Sequence, residues 1–251
     1  MNTSRGRARQ KRQKTVPEEP AAEKTAGKGG GRKGRNHDPL PFTHEEEVIL
    51  RGLVPVCGLD EAGRGPLAGP VVAACVVLDL DDVPDGIRDS KAMTEAAREA
   101  LAEEIRRRAR VGVGIADVDV IAERNIHGAT LWAMARAFEA VGEPLPRAAL
   151  VDGRHCPEIP CECVAIVGGD ASVPSIAAAS IIAKVERDRI MRELDARYPG
   201  YGFAEHKGYA VPAHREALLR LGPCPAHRMS FAALRTLLGL EEEDPDQPRL
   251  L

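Results

Sequence analysis

An α/β domain with a helical C-terminal extension is what this sequence predicts, on three observations. Five short apolar runs, rich in Val, Ala and Ile and bounded by Gly, Pro or Asp, have the length and punctuation of buried strands. Stretches with helical spacing follow the second, third and fifth of these runs. After the fifth run no strand pattern returns, and the rest of the domain reads as helix.

In chain order, residues 1–40 stand apart. SRGRARQKRQK and GKGGGRKGRN are almost devoid of apolar side chains, and residues 1–37 hold eleven Lys/Arg against three Glu. Such a segment buries too little surface to offset its chain entropy, so a disordered basic arm is expected. Two readings of it stay open: an arm that meets nucleic-acid phosphates, or a passive extension. The net charge of -3 hides this asymmetry, because residues 38–251 carry 24 basic and 35 acidic side chains. Residues 41–240 are expected to form one domain, and 241–251 a frayed acidic tail.

Thr43 is placed to cap a short helix over His44 to Leu50, with Glu45, Glu46 and Glu47 suiting its first turn. Next comes VPVCGLDEAGRGPLAGPVVAACVV, from Val54 to Val77: strand, glycine turn, strand. Thr94 caps a helix to about Ala109, and Val111 to Ala116 is the third strand. A helical region reaches Val141 with an interruption at Glu123 to Asn125. Ala148 to Val151 and Cys161 to Val167 are the fourth and fifth strands. Helices are expected over Pro174–Ala196, Ala213–Leu221 and Phe231–Leu238.

No apolar run approaches the ~18–20 residues of a membrane helix, and the N-terminus lacks the apolar core of a secretory signal, so a cytoplasmic protein is expected. Six cysteines without a C-x-x-C pair suggest reduced thiols. His155, Cys156, Cys161 and Cys163 supply zinc-type ligands, but too compressed for the usual paired spacing, and no zinc is assigned.

Acids carry the chemistry. Asp60, Asp152 and Asp170 each sit at or just past the end of an expected strand, and Glu61 follows Asp60. Strand ends in an α/β sheet open into the crevice where sites form. Four carboxylates there repel one another unless a cation joins them, and oxygen-only ligands favour Mg2+ or Mn2+. A pair of such ions about 3.5–4 Å apart suits in-line phosphoryl displacement. Gly63 and Gly65, flanking Arg64, let backbone approach a sugar edge, where it can pair with the 2′-hydroxyl that separates RNA from DNA. With only eight aromatic residues, recognition by backbone shape is expected over base stacking.

These strings resemble those of one family. DEAGRGPLAGPVVAA, DSK at Asp89 to Lys91, GDASVPSIAAASIIAKVERDRIM, HKGY at His206 to Tyr209 and HR-SF at His227 to Phe231 are similar, in order, to the ribonucleases HII, the type 2 ribonucleases H. The resemblance spans about residues 54–232. It implies a ribonuclease H-like fold with a mixed five-stranded sheet flanked by helices. It also implies a four-acid set, Asp60, Glu61, Asp152 and Asp170, holding two Mg2+ or Mn2+ ions. The implied activity is endonucleolytic hydrolysis of the RNA strand of RNA–DNA hybrids and at ribonucleotides embedded in duplex DNA, leaving 5′-phosphate and 3′-hydroxyl. Tyr209 would bond the 2′-hydroxyl and pack on the next deoxyribose; Ser90, Lys91, Lys184 and Arg187 would contact phosphates. A monomer is expected. The chain departs from the family pattern at Ala92, Met93, Ala122, Glu186, Ala210 and Val211, which touches phosphate contact and packing and leaves the acids alone. Two alternatives remain: a ribonuclease HIII, against which the GRG turn stands, and a non-catalytic hybrid-binding protein, against which all four acids stand.

Overall fold

The structure, a computed structural model, describes residues 40–87 and 93–240. The basic arm, the acidic tail, Ser90 and Lys91 lie outside the described residues.

Five strands form one mixed sheet. β1 (Val56–Ala62), β2 (Val71–Val77) and β3 (Arg110–Ala116) pair antiparallel as a meander, while β4 (Ala148–Asp152) and β5 (Glu162–Ile166) lie parallel to β1, giving the order β3-β2-β1-β4-β5. The helices are α1 (Thr43–Leu50), α2 (Glu95–Arg108), α3 (Val118–Ala140), α4 (Pro174–Arg197), α5 (Phe203–His206), α6 (Pro212–Leu221) and α7 (Ala232–Leu237). None among the described residues is long and apolar enough to cross a membrane.

The period of two in β1 decides what faces what. Cys57 and Leu59 turn to one side, packing with Ala133, Ala137 and Phe138 of α3. Gly58 turns to the other, where α4 lies so close that a Cβ would stand 2.1 Å from the Ser175 carbonyl carbon. Only glycine permits that approach. Ala177, Ala178 and Ile181 of α4 continue this second core with Ala74 and Val76 of β2. Asp60 inherits the α4 face from Gly58, and Glu61 the α3 face from Leu59.

Several local expectations change. Thr43 lies inside α1, and Phe42 takes the cap position without a side-chain bond. Glu45 does lie in the first turn of α1, but it is buried, and its Oε1 accepts from the Ser175 N–H at 3.0 Å and hydroxyl at 2.8 Å. It thus caps α4 from another element, where the adjoining Val173 cannot. The expected interruption of the third helical region is a single residue, Asn125, at φ 56°. Its side-chain oxygen restarts the helix by accepting from the His127 and Gly128 N–H groups. The reduced-thiol expectation fails at one pair: Cys156 and Cys163 are disulfide-bonded, with Cα atoms 6.1 Å apart. The short loop from β4 to the parallel β5 folds back to bring them together, a pairing that no C-x-x-C pattern can signal. Cys57, Cys75, Cys161 and Cys224 are free.

Candidate active site

Asp60 and Glu61 lie within β1, not beyond it, paired with Ala74 and Ala73 of β2. On the other side, the ladder with β4 ends at Leu59 and Val151. The two acids therefore stand one and two residues past the last parallel pair, beside Asp152 at the carboxyl end of β4. Asp152 Oδ1 accepts from the Gly169 N–H at 2.7 Å, which ties it to the short 3-10 turn Gly169–Ala171 carrying Asp170. The fold thus brings Asp60, Glu61 and Asp152 together at the ends of β1 and β4, and ties the turn that carries Asp170 to Asp152.

Three of them feel one another. Burial pushes the Asp60 carboxyl well above the ordinary carboxylate range, helped by the charges of Glu61 and Asp152; a Ser180 hydroxyl and the Glu61 N–H, at 2.7 Å, oppose this. Glu61 is also raised by burial and by Asp152, against the pull of Arg64 Nη1 at 3.2 Å. Among the described residues no three such side chains close around a single ion. The donor set nonetheless fits a hard divalent cation in kind: it is carboxylate only, and burial first and mutual repulsion second penalise negative charge that a bound cation would stabilise. Ser180, on the α4 face, was not legible as a site residue, because a serine in a small-residue helix reads as packing.

A cleft of about 400 Å³ opens beside the acids, lined by Glu61, Gly63, Arg98, Ser180, Lys184 and Tyr209 among others. Lys184 lies on it, paired with Asp188 at 2.6 Å. Arg98, which sequence reasoning missed, reaches the cleft from α2. On the α3 side a smaller hollow is lined by Glu61, Asp152, Arg64, His127, Arg154 and His155.

The glycine turn reads differently at its two ends. Gly63 has φ +97°, and a Cβ there would meet Arg187 Nε at 2.0 Å, so its requirement is internal. At Gly65 the nearest atom to a Cβ is Tyr209 Cε1 at 3.7 Å, so this position has room toward the cleft. Tyr209 is 48% exposed, which sets aside a core role for its ring. Beneath it runs a chain of hydrogen bonds. His214 Nδ1 donates to the Tyr209 carbonyl at 2.9 Å, so its Nε2 accepts from His227 Nε2 at 3.1 Å; His227 Nδ1 in turn accepts from the Cys224 N–H at 2.9 Å.

Arg187 corrects an expectation. It lines the cleft, but its guanidinium is buried and each of its three nitrogens donates to a backbone carbonyl, those of Ala68, Pro70 and Lys207, so its main hold is on the fold. An Arg in an R-D string reads as a phosphate ligand, whereas the fold turns it inward.

Comparison with known proteins follows the same lines. Residues 57–234 match the family profile described as Ribonuclease HII. A ribonuclease HII from Nitrobacter hamburgensis is 55% identical over 202 residues, covering 80% of this chain and 75% of the relative. Among solved structures, the ribonuclease HII of Archaeoglobus fulgidus, determined in a PCNA complex, aligns with TM-score 0.60 and 32% identity over 69% of this chain and 93% of its own. The ribonuclease H2 of Pyrococcus horikoshii OT3 aligns with TM-score 0.64 and 27% identity, over 72% and 96%.

Proposed function

This chain belongs to the ribonuclease HII family, and on that premise we propose that it is a metal-dependent endonuclease cutting at ribonucleotides within RNA–DNA hybrids and duplex DNA. The observation that carries the reading is the meeting of Asp60 and Glu61 at the end of β1 with Asp152 at the end of β4, next to a cleft lined by Glu61 and Tyr209.

Asp60, Glu61, Asp152 and Asp170 would hold Mg2+ or Mn2+. When bound, such ions supply activation of the attacking water and neutralisation of charge at the departing 3′-oxygen. The chain itself orients and selects. Asp60 is fixed by Ser180 and by its neighbour's N–H, and Asp152 by Gly169, so the carboxylates are aimed before substrate arrives. Gly65 and Tyr209 bracket the space for a ribose, the backbone N–H groups of the turn meeting the 2′-hydroxyl and the phenol ring the next sugar. Lys184, together with Ser90 and Lys91 outside the described residues, steadies flanking phosphates without reading bases. The reaction leaves a 5′-phosphate and a 3′-hydroxyl, and the enzyme acts as a monomer in the cytoplasm.

The test is cleavage of two duplexes, one with a single embedded ribonucleotide and one entirely DNA, with and without Mg2+ or Mn2+. Metal-dependent cutting of the first alone is expected. Cutting of both, or of neither, would sink the proposal.

A further inference from the structure

The HR pair of the last matching string has no part in the chemistry above, yet Arg228 is one of the largest fully buried side chains in the protein. Among the described residues no carboxylate forms an ion pair with it. Its guanidinium instead donates through all five N–H groups to backbone carbonyls of a single loop. Nε reaches Gly69 at 2.8 Å, Nη1 reaches Arg64 at 2.9 Å and Pro66 at 2.8 Å, and Nη2 reaches Gly63 at 2.5 Å and Pro70 at 3.1 Å. The Arg228 backbone N–H takes Leu67 at 2.9 Å, and Arg187 takes Ala68 and again Pro70. Between them, two arginines hold seven of the eight carbonyls from Gly63 to Pro70.

Peptide geometry turns this into function. In a trans peptide the C=O and the following N–H point opposite ways. With the Gly63 and Arg64 carbonyls drawn inward to Arg228, the N–H groups of Arg64 and Gly65 are directed outward. Of the other loop donors, Leu67 N–H goes to Gly208 and Gly69 N–H to Ala226, at 2.8 Å each, and Pro66 and Pro70 have none. The adjacent Arg64 and Gly65 donors thus face the side where Gly65 meets Tyr209. Arg187 also grips the Lys207 carbonyl, two residues before Tyr209, at 3.1 Å, so both halves of the sugar-facing pair hang on one internal frame.

We propose that Arg228, with Arg187, is a positioning residue for ribose recognition: it fixes the peptide planes of the Gly63–Pro70 loop so that the Arg64 and Gly65 N–H groups face the substrate 2′-hydroxyl. This rests on the function proposed above, and it separates two roles that a buried arginine could have. A role in charge alone is met equally by lysine. A role in geometry is not, because an ammonium offers three donors where five carbonyls converge.

The experiment is binding in an Asp152→Asn background, where cleavage is blocked, to duplexes with and without one ribonucleotide. Asp152→Asn alone should prefer the ribonucleotide duplex by about three- to tenfold per hydrogen bond made to the hydroxyl. Adding Arg228→Lys should abolish that preference while affinity for the all-DNA duplex stays within about twofold, since phosphate contacts are untouched. Arg187→Lys, run in parallel, should reduce the preference too, and it decides the matter if circular dichroism shows Arg228→Lys unfolded. A folded variant of either kind that keeps the full preference overturns the frame. Absence of any preference in Asp152→Asn itself would overturn the function proposed above, a distinct result.

Discussion

At the scale of single residues, the two glycines of one turn do different work. Gly63 is required by φ +97° and by Arg187 behind it, whereas Gly65 is free of internal contacts. Gly63→Ala should therefore lower the thermal midpoint and the rate together. Gly65→Ala should leave the midpoint within a degree or so, as surface changes away from packed features usually do. Its single-turnover rate should fall on the order of 10²-fold, the cost of a misplacement of about 1 Å. Tyr209→Phe should cost about 1–3 kcal/mol in the rate if the hydroxyl pairs in the transition state. Wild-type rates for Gly65→Ala and Tyr209→Phe alike would assign sugar reading elsewhere. The acids, the turn and Tyr209 were singled out in the sequence because each sits in a string that resembles the family's. The roles of Arg187, Arg228, Glu45 and Ser180 were not, since most of the groups they meet lie 117 to 165 positions away and only the fold supplies them.

At the scale of elements, strand and helix placement followed from apolar period and Gly/Pro punctuation, and the sheet edge that gathers the acids followed from it. Boundaries failed where a tertiary contact replaces a local one: Glu45 caps α4 in place of the adjoining Val173, and the acids ride inside β1 because β2 extends past β4. The small helix α5 and the histidine chain under Tyr209 left no periodic signal at all. That chain makes a pH prediction. Burial lowers both imidazoles, His227 to about 4 and His214 in the same direction, so the fold binds fewer protons than the unfolded chain between these values and 6.5. The stability they contribute is full above about pH 6.5 and drains as pH falls toward 4. Protonation of His214 at Nε2 would set a proton against the His227 Nε2–H and break the link between the two rings. Thermal melts from pH 7.5 to 4.5 should show this loss, and His227→Asn should start less stable and lose less over that range. Parallel pH profiles for the two proteins would remove the histidine chain from the account.

At the scale of the whole molecule, one sheet positions everything: α4 delivers Ser180 and Lys184 to the acids, and the C-terminal helices hold Tyr209 over the glycine turn. The basic arm lies outside the described residues, and its part in binding is a proposal. If residues 1–37 meet phosphates, their deletion should flatten the slope of log affinity against log salt by ~0.9 for each phosphate that the arm neutralises, with the rate at saturation unchanged. An equal slope for the full-length and shortened proteins would make the arm passive. The central claim is that the carboxylates joined at the ends of β1 and β4 run the chemistry, and it has one direct measurement. Asp152→Asn and Asp60→Asn are each assayed for single-turnover cleavage of a duplex carrying one ribonucleotide in Mg2+, alongside a thermal melt without metal. Loss of cleavage, with a midpoint equal to or above wild type because a repelling charge has gone, is the result this account predicts. Near-normal cleavage by either folded variant contradicts it.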